Sequence, residues 1–116
     1  MKTIKTYAFL ITTLLFLGIS SAAMAGEYEG SWLLYDTQGN GFEATLSEDG
    51  SASGTHGKDM KYGSWKEVDG AAVVTWKTGW TTRISKDGDK YIKTSYKPGT
   101  TVGDVPTDSS EAKKKN

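Results

Sequence analysis

The sequence predicts a small all-β protein, an antiparallel meander of six or seven strands that curls or closes into a barrel. The segments between successive turn signals alternate apolar and polar residues, which is the period of a half-buried strand. No window combines a sustained helical period with capping residues. The turn signals recur at short intervals: Gly39-Asn40-Gly41, Asp49-Gly50, Asp69-Gly70, Thr78-Gly79, Asp87-Gly88 and Pro98-Gly99.

The turn signals divide the chain into seven predicted strands. Asp-Gly pairs between alternating segments predict type I′ hairpins, because both residues tolerate the positive φ that this turn requires. In the second strand Phe42, Ala44 and Leu46 share one face. The fifth strand contains Ala72-Val73-Val74, apolar on both faces, which favours a central position in the sheet. The strands are predicted at 30–36, 41–48, 51–56, 61–67, 71–77, 80–86 and 89–96.

The edges of such a short meander need protection. Unpaired edge strands invite aggregation, and closure into a barrel removes both edges. We therefore expect a compact barrel, with a two-layer sandwich as the alternative. Gly30-Ser31-Trp32 resembles the Gly-x-Trp at the start of the first strand in lipocalin-like proteins. That resemblance implies a barrel of the lipocalin or avidin kind, in which Trp32 closes the floor.

The first 25 residues have the three parts of a secretory signal peptide. Lys2 and Lys5 supply the positive start, residues 8–19 are largely apolar, and Ala23-Met24-Ala25 permits cleavage before Gly26. An uncleaved anchor is the alternative, but a spanning helix needs about 20 apolar residues. We expect a periplasmic or secreted protein without stable membrane insertion after cleavage.

One domain remains after cleavage. Removing 25 of the 116 residues leaves 91. Loss of two lysines leaves 12 basic against 14 acidic residues, a net charge of −2, which lacks the basic footprint of a nucleic-acid-binding protein. The chain has no cysteine for disulfides. We predict an all-β domain at 26–102 and a polar, disordered tail at 103–116.

Four tryptophans are the candidate ligand-binding residues. A ring exposed in a concavity would stack on a sugar or an apolar ligand, whereas core packing is the alternative explanation for each. Two of them flank the turn at Thr78-Gly79 and are placed to form a cross-strand aromatic pair. The candidates are Trp32, Trp65, Trp76 and Trp80.

Catalytic and metal signatures are missing from the sequence. His56 is the only histidine, so a zinc site lacks ligands and a serine triad lacks its nucleophile-elbow motif. The acidic clusters Glu48-Asp49 and Asp87-Gly88-Asp89 do not have the spacing of a calcium loop and are explained by turns. We therefore predict that the protein is not an enzyme and uses no cofactor and no metal.

The stretch Ser51-Ala52-Ser53-Gly54, with Trp-Lys downstream, resembles a segment of periplasmic C-type lysozyme inhibitors. The resemblance implies a small exported barrel whose serine and lysine side chains contact the active-site cleft of the enzyme. The chain departs from that family at Thr55-His56-Gly57, where a tyrosine is expected, and it lacks the family's cysteines. The contact residues so implied are Ser51, Ser53 and Lys66.

A wider pattern resembles small secreted bacterial β-proteins of uncharacterised function. It includes Gly63-Ser64-Trp65, Val74-Thr75-Trp76 and Tyr96-Lys97-Pro98-Gly99, and it implies the fold and export but no activity. Three functions stay open. The first is an exported, non-enzymatic protein that binds a small molecule. The others are an inhibitor of a lysozyme or protease, and a structural or assembly component that contacts an envelope protein.

Overall fold

The computed structural model describes residues 26–115, and these form a closed barrel of eight antiparallel strands. Strands that are adjacent in sequence are adjacent in the barrel, and the last strand pairs with the first. Residues 26–28 are helical and precede the first strand, whereas the predicted signal peptide lies outside the described residues. The strands are β1 (Gly30–Tyr35), β2 (Gly41–Leu46), β3 (Ser51–His56), β4 (Asp59–Val68), β5 (Ala71–Trp76), β6 (Thr81–Asp87), β7 (Lys90–Tyr96) and β8 (Asp108–Lys114).

The all-β class and the antiparallel barrel are confirmed, and the two-layer sandwich is wrong. The predicted count of six or seven strands is too low because β8 was not anticipated. Asp108–Lys114 lies inside the segment 103–116 that the sequence analysis assigns to a disordered tail, and that assignment is corrected for these residues. In β8 Ala112 is the one buried apolar side chain, so the strand has the composition of a solvated tail.

Three hairpins share one turn geometry. In each, a residue donates its N–H to the carbonyl four positions later and accepts a hydrogen bond from the glycine three positions later; these residues are Asp36, Ser47 and Trp76. The glycine has positive φ each time, as in a three-residue loop with a bulge. At Asp69-Gly70 both φ angles are positive, 54° and 80°, as in the predicted type I′ turn. At the other Asp-Gly pairs only the glycine has positive φ, so that prediction is wrong there.

Aromatic rings close one end of the barrel. Trp32 is fully buried, and its ring centroid lies 6.1 Å from that of Tyr28 and 4.9 Å from that of Tyr91. The Trp32 Nε1–H donates to the Tyr28 carbonyl (2.9 Å), and the Tyr28 hydroxyl donates to the Gly70 carbonyl (2.7 Å). Burial raises the pKa of Tyr28 to about 12, with a smaller contribution from Glu27. These contacts form a packed floor.

The middle of the barrel is filled by aliphatic and small side chains from most of the strands. Gly63 marks a point where β4 and β5 approach too closely for any side chain, because a Cβ there would overlap the backbone carbonyl of Thr75. Gly54 leaves room for the Trp76 ring, whose nearest atom would lie 3.3 Å from an added Cβ. The buried aliphatic and small residues are Leu34, Ala44, Leu46, Ala52, Ala72, Val74, Ile84 and Ala112.

We expect Gly63→Ala to destabilise the protein by about 1–3 kcal/mol, because the added methyl group meets the Thr75 backbone, which can move only with its strand. The measurement is urea unfolding followed by tryptophan fluorescence. Gly26→Ala is the control, since a Cβ at Gly26 meets open space. Equal midpoints for the two variants would contradict the close approach of β4 and β5.

We expect deletion of residues 108–116 to abolish cooperative unfolding. The deletion removes β8, so the edges of β1 and β7 lose their hydrogen-bonding partners and Ala112 leaves the core. Circular dichroism during heating and gel filtration measure the outcome, with deletion of Asn116 alone as the control. A truncated chain that stays monomeric and melts at the temperature of the full chain would contradict the closure.

Candidate functional site

The end of the barrel opposite the floor is open. A cavity of about 260 Å³ lies there, bordered by the loops that connect β1 to β2 and β5 to β6 and by the adjoining ends of β3 and β4. Its lining includes three aromatic rings, Phe42, Trp76 and Trp80. A lysine and two hydroxyl groups also face it. The volume is below the roughly 300–1,000 Å³ of sites for drug-sized ligands, so the cavity admits only a small molecule.

Trp76 and Trp80 reach the cavity from the two ends of the β5–β6 loop. Trp76 is 5% exposed, and its Nε1–H donates to the Thr82 hydroxyl oxygen at 2.9 Å, which fixes the ring. Trp80 is only partly buried. The two rings do not form the predicted aromatic pair, and the loop between them has three residues rather than two. Both line the cavity instead.

Lys93 is the most deeply buried charged group of the site, with 3% of its side chain exposed. Its Nζ donates to the carbonyl of Tyr35 at the end of β1. The nearest carboxylate oxygen is Oδ2 of Asp108, at 3.9 Å, and the ring centroid of Phe42 lies 5.9 Å away. Burial lowers the pKa of the Lys93 ammonium, while Asp108 acts in the opposite direction. Lys93 therefore places a desolvated cation beside an aromatic wall.

Asp36 and His56 join two loops at the mouth. The His56 Nε2 lies 2.7 Å from Asp36 Oδ2, and Asp36 Oδ1 accepts hydrogen bonds from the backbone N–H groups of Gln38 and Asn40. These hydrogen bonds lower the pKa of Asp36 to about 2, and the bond with His56 makes the largest contribution. The His56 ring also meets Phe42 edge-on, with centroids 5.6 Å apart. The pair thus holds one side of the cavity entrance in place.

The four candidate tryptophans divide between the two ends of the barrel. Trp76 and Trp80 line the cavity, whereas Trp32 belongs to the floor. Trp65 is 8% exposed and donates its Nε1–H to the Ser47 carbonyl (2.7 Å), so it packs in the core away from the cavity. The structure therefore brings two of the four to one site.

The residues suggested by the inhibitor resemblance lie outside the barrel. Ser51 and Ser53 are on β3, and Lys66 is on β4, the neighbouring strand; none of the three is buried. The Ser51 hydroxyl donates to Asp49 Oδ1 at 2.7 Å, and the same carboxylate oxygen accepts the Ser51 N–H. None of these three residues lines the cavity.

Sequence reasoning missed the polar inner wall of the cavity. Lys93, Ser95 and Thr82 are 3–4% exposed and face the interior. In β7 the alternative face carries Ile92 and Tyr96, which are more apolar than Lys93 and Ser95, so alternation alone favours the wrong face. Thr82 lies two positions after Trp80, and this alternation places the two residues on the same face. Nothing in the sequence, however, links Thr82 to a ligand.

Comparison with protein-family models, with curated proteins and with solved structures finds no match for this chain. Between residues 26 and 115, no helix has the length and apolar character needed to cross a membrane. Over the same range, no three His, Asp or Glu side chains are grouped so as to hold a metal ion. The functional assignment therefore rests on the geometry of the barrel.

We expect Asp36→Asn to remove an acid-sensitive part of the stability. The folded state lowers the pKa of Asp36 from 3.8 to about 2, so the contribution is present above about pH 4 and is lost as the pH falls towards 2. The variant should melt below the wild type at pH 5, and the difference should shrink as the pH falls through about 2. Asp89→Asn, in the exposed β6–β7 hairpin, is the control. A difference that is independent of pH would contradict the role of the Asp36 carboxylate.

Proposed function

We propose that this protein is a non-enzymatic binding protein that takes a small, partly apolar ligand into the open end of its barrel. The single observation that supports the proposal is the cavity of about 260 Å³ on which aromatic rings, hydroxyl groups and the buried Lys93 converge. The proposed location is the periplasm or the exterior of the cell, after cleavage before Gly26. That location is supported by the signal-peptide pattern of the sequence.

The buried polar groups that line the cavity are costly to the folded protein, which favours a function for them. Burying the Lys93 ammonium and the hydroxyls of Ser95 and Thr82 lowers stability unless each group finds a partner. A ligand that pairs with these groups offsets that cost.

Binding without catalysis agrees with the chemistry at the mouth. The Nε2 of His56 is hydrogen-bonded to Asp36 Oδ2. In the part of the chain that the structure describes, no hydroxyl group hydrogen-bonds to the His56 ring. His56 thus holds a loop instead of activating a nucleophile. The aromatic walls and the few buried polar groups resemble the make-up of small-molecule sites.

The other two functions have weaker support. The outer faces of β3 and β4 present Ser51, Ser53 and Lys66 together, as contact with a lysozyme or protease would require. However, the Ser51 hydroxyl is already bonded to Asp49. An envelope component that assembles through strand edges would need a free edge, and the closed sheet of residues 26–115 pairs every strand on both sides.

Native mass spectrometry of the protein, purified without denaturant from an expressing cell, tests the proposal. We expect a chain that begins at Gly26 and carries a small adduct on the monomer. Ser95→Leu, which fills the cavity, should lose the adduct, whereas Thr94→Leu makes the same kind of change on the outer face of β7 and should keep it. A bare wild-type mass, or equal adducts on both variants, would contradict the proposal.

A further inference from the structure

We infer that the ligand is a small monocarboxylic acid with an apolar body, whose carboxylate pairs with the buried Lys93 in the cavity. The inference rests on the proposed ligand-binding function and adds the chemical class of the ligand. Lys93 lies one step deeper along β7 than Ser95, and it is 97% buried since only 3% of its side chain is exposed.

The first argument is that the hydrogen-bonding capacity of Lys93 is not used up by the protein. An ammonium group has three N–H donors. In the described part of the chain, Nζ makes one hydrogen bond, to the Tyr35 carbonyl. Asp108 Oδ2, at 3.9 Å, is beyond hydrogen-bonding distance and is itself buried without a donor. Two N–H groups of a buried cation are therefore left for an acceptor in the cavity.

The second argument is the balance of charge around the cavity. Lys61 is a second cation in the lining. Asp36 is the one carboxylate among the lining residues, and its oxygens already accept hydrogen bonds from His56 and from two backbone N–H groups. Asp108, whose Oδ2 lies 3.9 Å from Lys93 Nζ just outside the lining, balances the second cation. The preference for an anion over an amine therefore rests on the free N–H donors of Lys93 and on the Asp36 oxygens being already bonded.

The third argument concerns the body of the ligand. Beside Lys93, the hydroxyls of Ser95 and Thr82 also face the cavity, and the Thr82 oxygen already accepts the Trp76 Nε1–H, which leaves its O–H free to donate. The apolar part of the lining consists of the rings of Phe42, Trp76 and Trp80. One buried ammonium with two hydroxyls suits a single carboxylate, and the rings suit an aromatic or short alkyl body in a volume of about 260 Å³.

The test compares two probes of equal shape, 4-phenylbutyrate and 4-phenylbutanamide, which differ in charge at the head group. Dissociation constants are measured on the full chain by ligand-observed NMR at pH 7. We expect the acid to bind wild-type protein at least about tenfold more tightly than the amide, since a charged hydrogen bond replaces a neutral one. Equal affinities would overturn the inference but leave ligand binding itself intact.

Variants then assign the preference to a residue. Lys93→Met keeps the apolar stem and should reduce the ratio of amide to acid dissociation constants to about one. Lys90→Met, an exposed lysine on the same strand, should keep the wild-type ratio. A preference that survives Lys93→Met would overturn the role of Lys93. If Lys93→Met does not fold, Lys61→Met serves in its place, and an unchanged ratio in that variant would count against the charge argument.

The two proposals fail separately. If neither probe binds at millimolar concentration, the carboxylate inference is overturned, while the native mass spectrum decides independently whether the cavity carries a ligand. An adduct whose mass and fragmentation identify a neutral molecule or an amine would overturn the inference and support the binding function. An adduct that fragments by loss of CO₂ and is displaced by 4-phenylbutyrate would support both.

Discussion

An eight-stranded barrel encloses a volume that its own side chains can nearly fill, and the rest of the structure depends on how that volume is divided. At one end the volume is filled by a packed aromatic floor, which consists of Tyr28, Trp32 and Tyr91. At the other end the rings of Phe42, Trp76 and Trp80 leave a gap beside the small polar residues Ser95 and Thr82. One sheet therefore supports a stable core and a small cavity without any change in topology.

The buried charge of Lys93 links the cavity to the framework. Its Nζ donates to the end of β1 from β7, with β8 and Asp108 between the two strands, so the lysine helps to hold the region where the barrel closes. A well-packed apolar residue would serve stability as well or better, because desolvation of an ammonium group offsets much of its attraction to a partner. The presence of a lysine at this position is therefore explained by the proposed ligand site rather than by the stability of the fold.

The fold was largely predictable, and the site only in part. Regular turns and alternation in segments such as Phe42–Leu46 define antiparallel strands, and the edge problem favours closure. β8 escaped prediction because its partners, not its own Asp, Ser and Lys residues, make it a strand. Lys93 escaped because its neighbours Ile92 and Tyr96 are more apolar, so the orientation of β7 is set by its pairing with β6 and β8 rather than by its local pattern.

The pairing of β1 with β8 has a consequence for the order of folding. Seven of the eight strand pairings join consecutive strands, and most of those strands are connected by tight turns, so these contacts are local in sequence. The eighth brings Trp32 opposite Lys114, 82 positions away, and has the largest loop-closure entropy to overcome. When the chain is synthesised or exported from its N-terminus, the sheet stays open until β8 has emerged and pairs with β1. The cavity can therefore trap a ligand only after the whole domain has emerged.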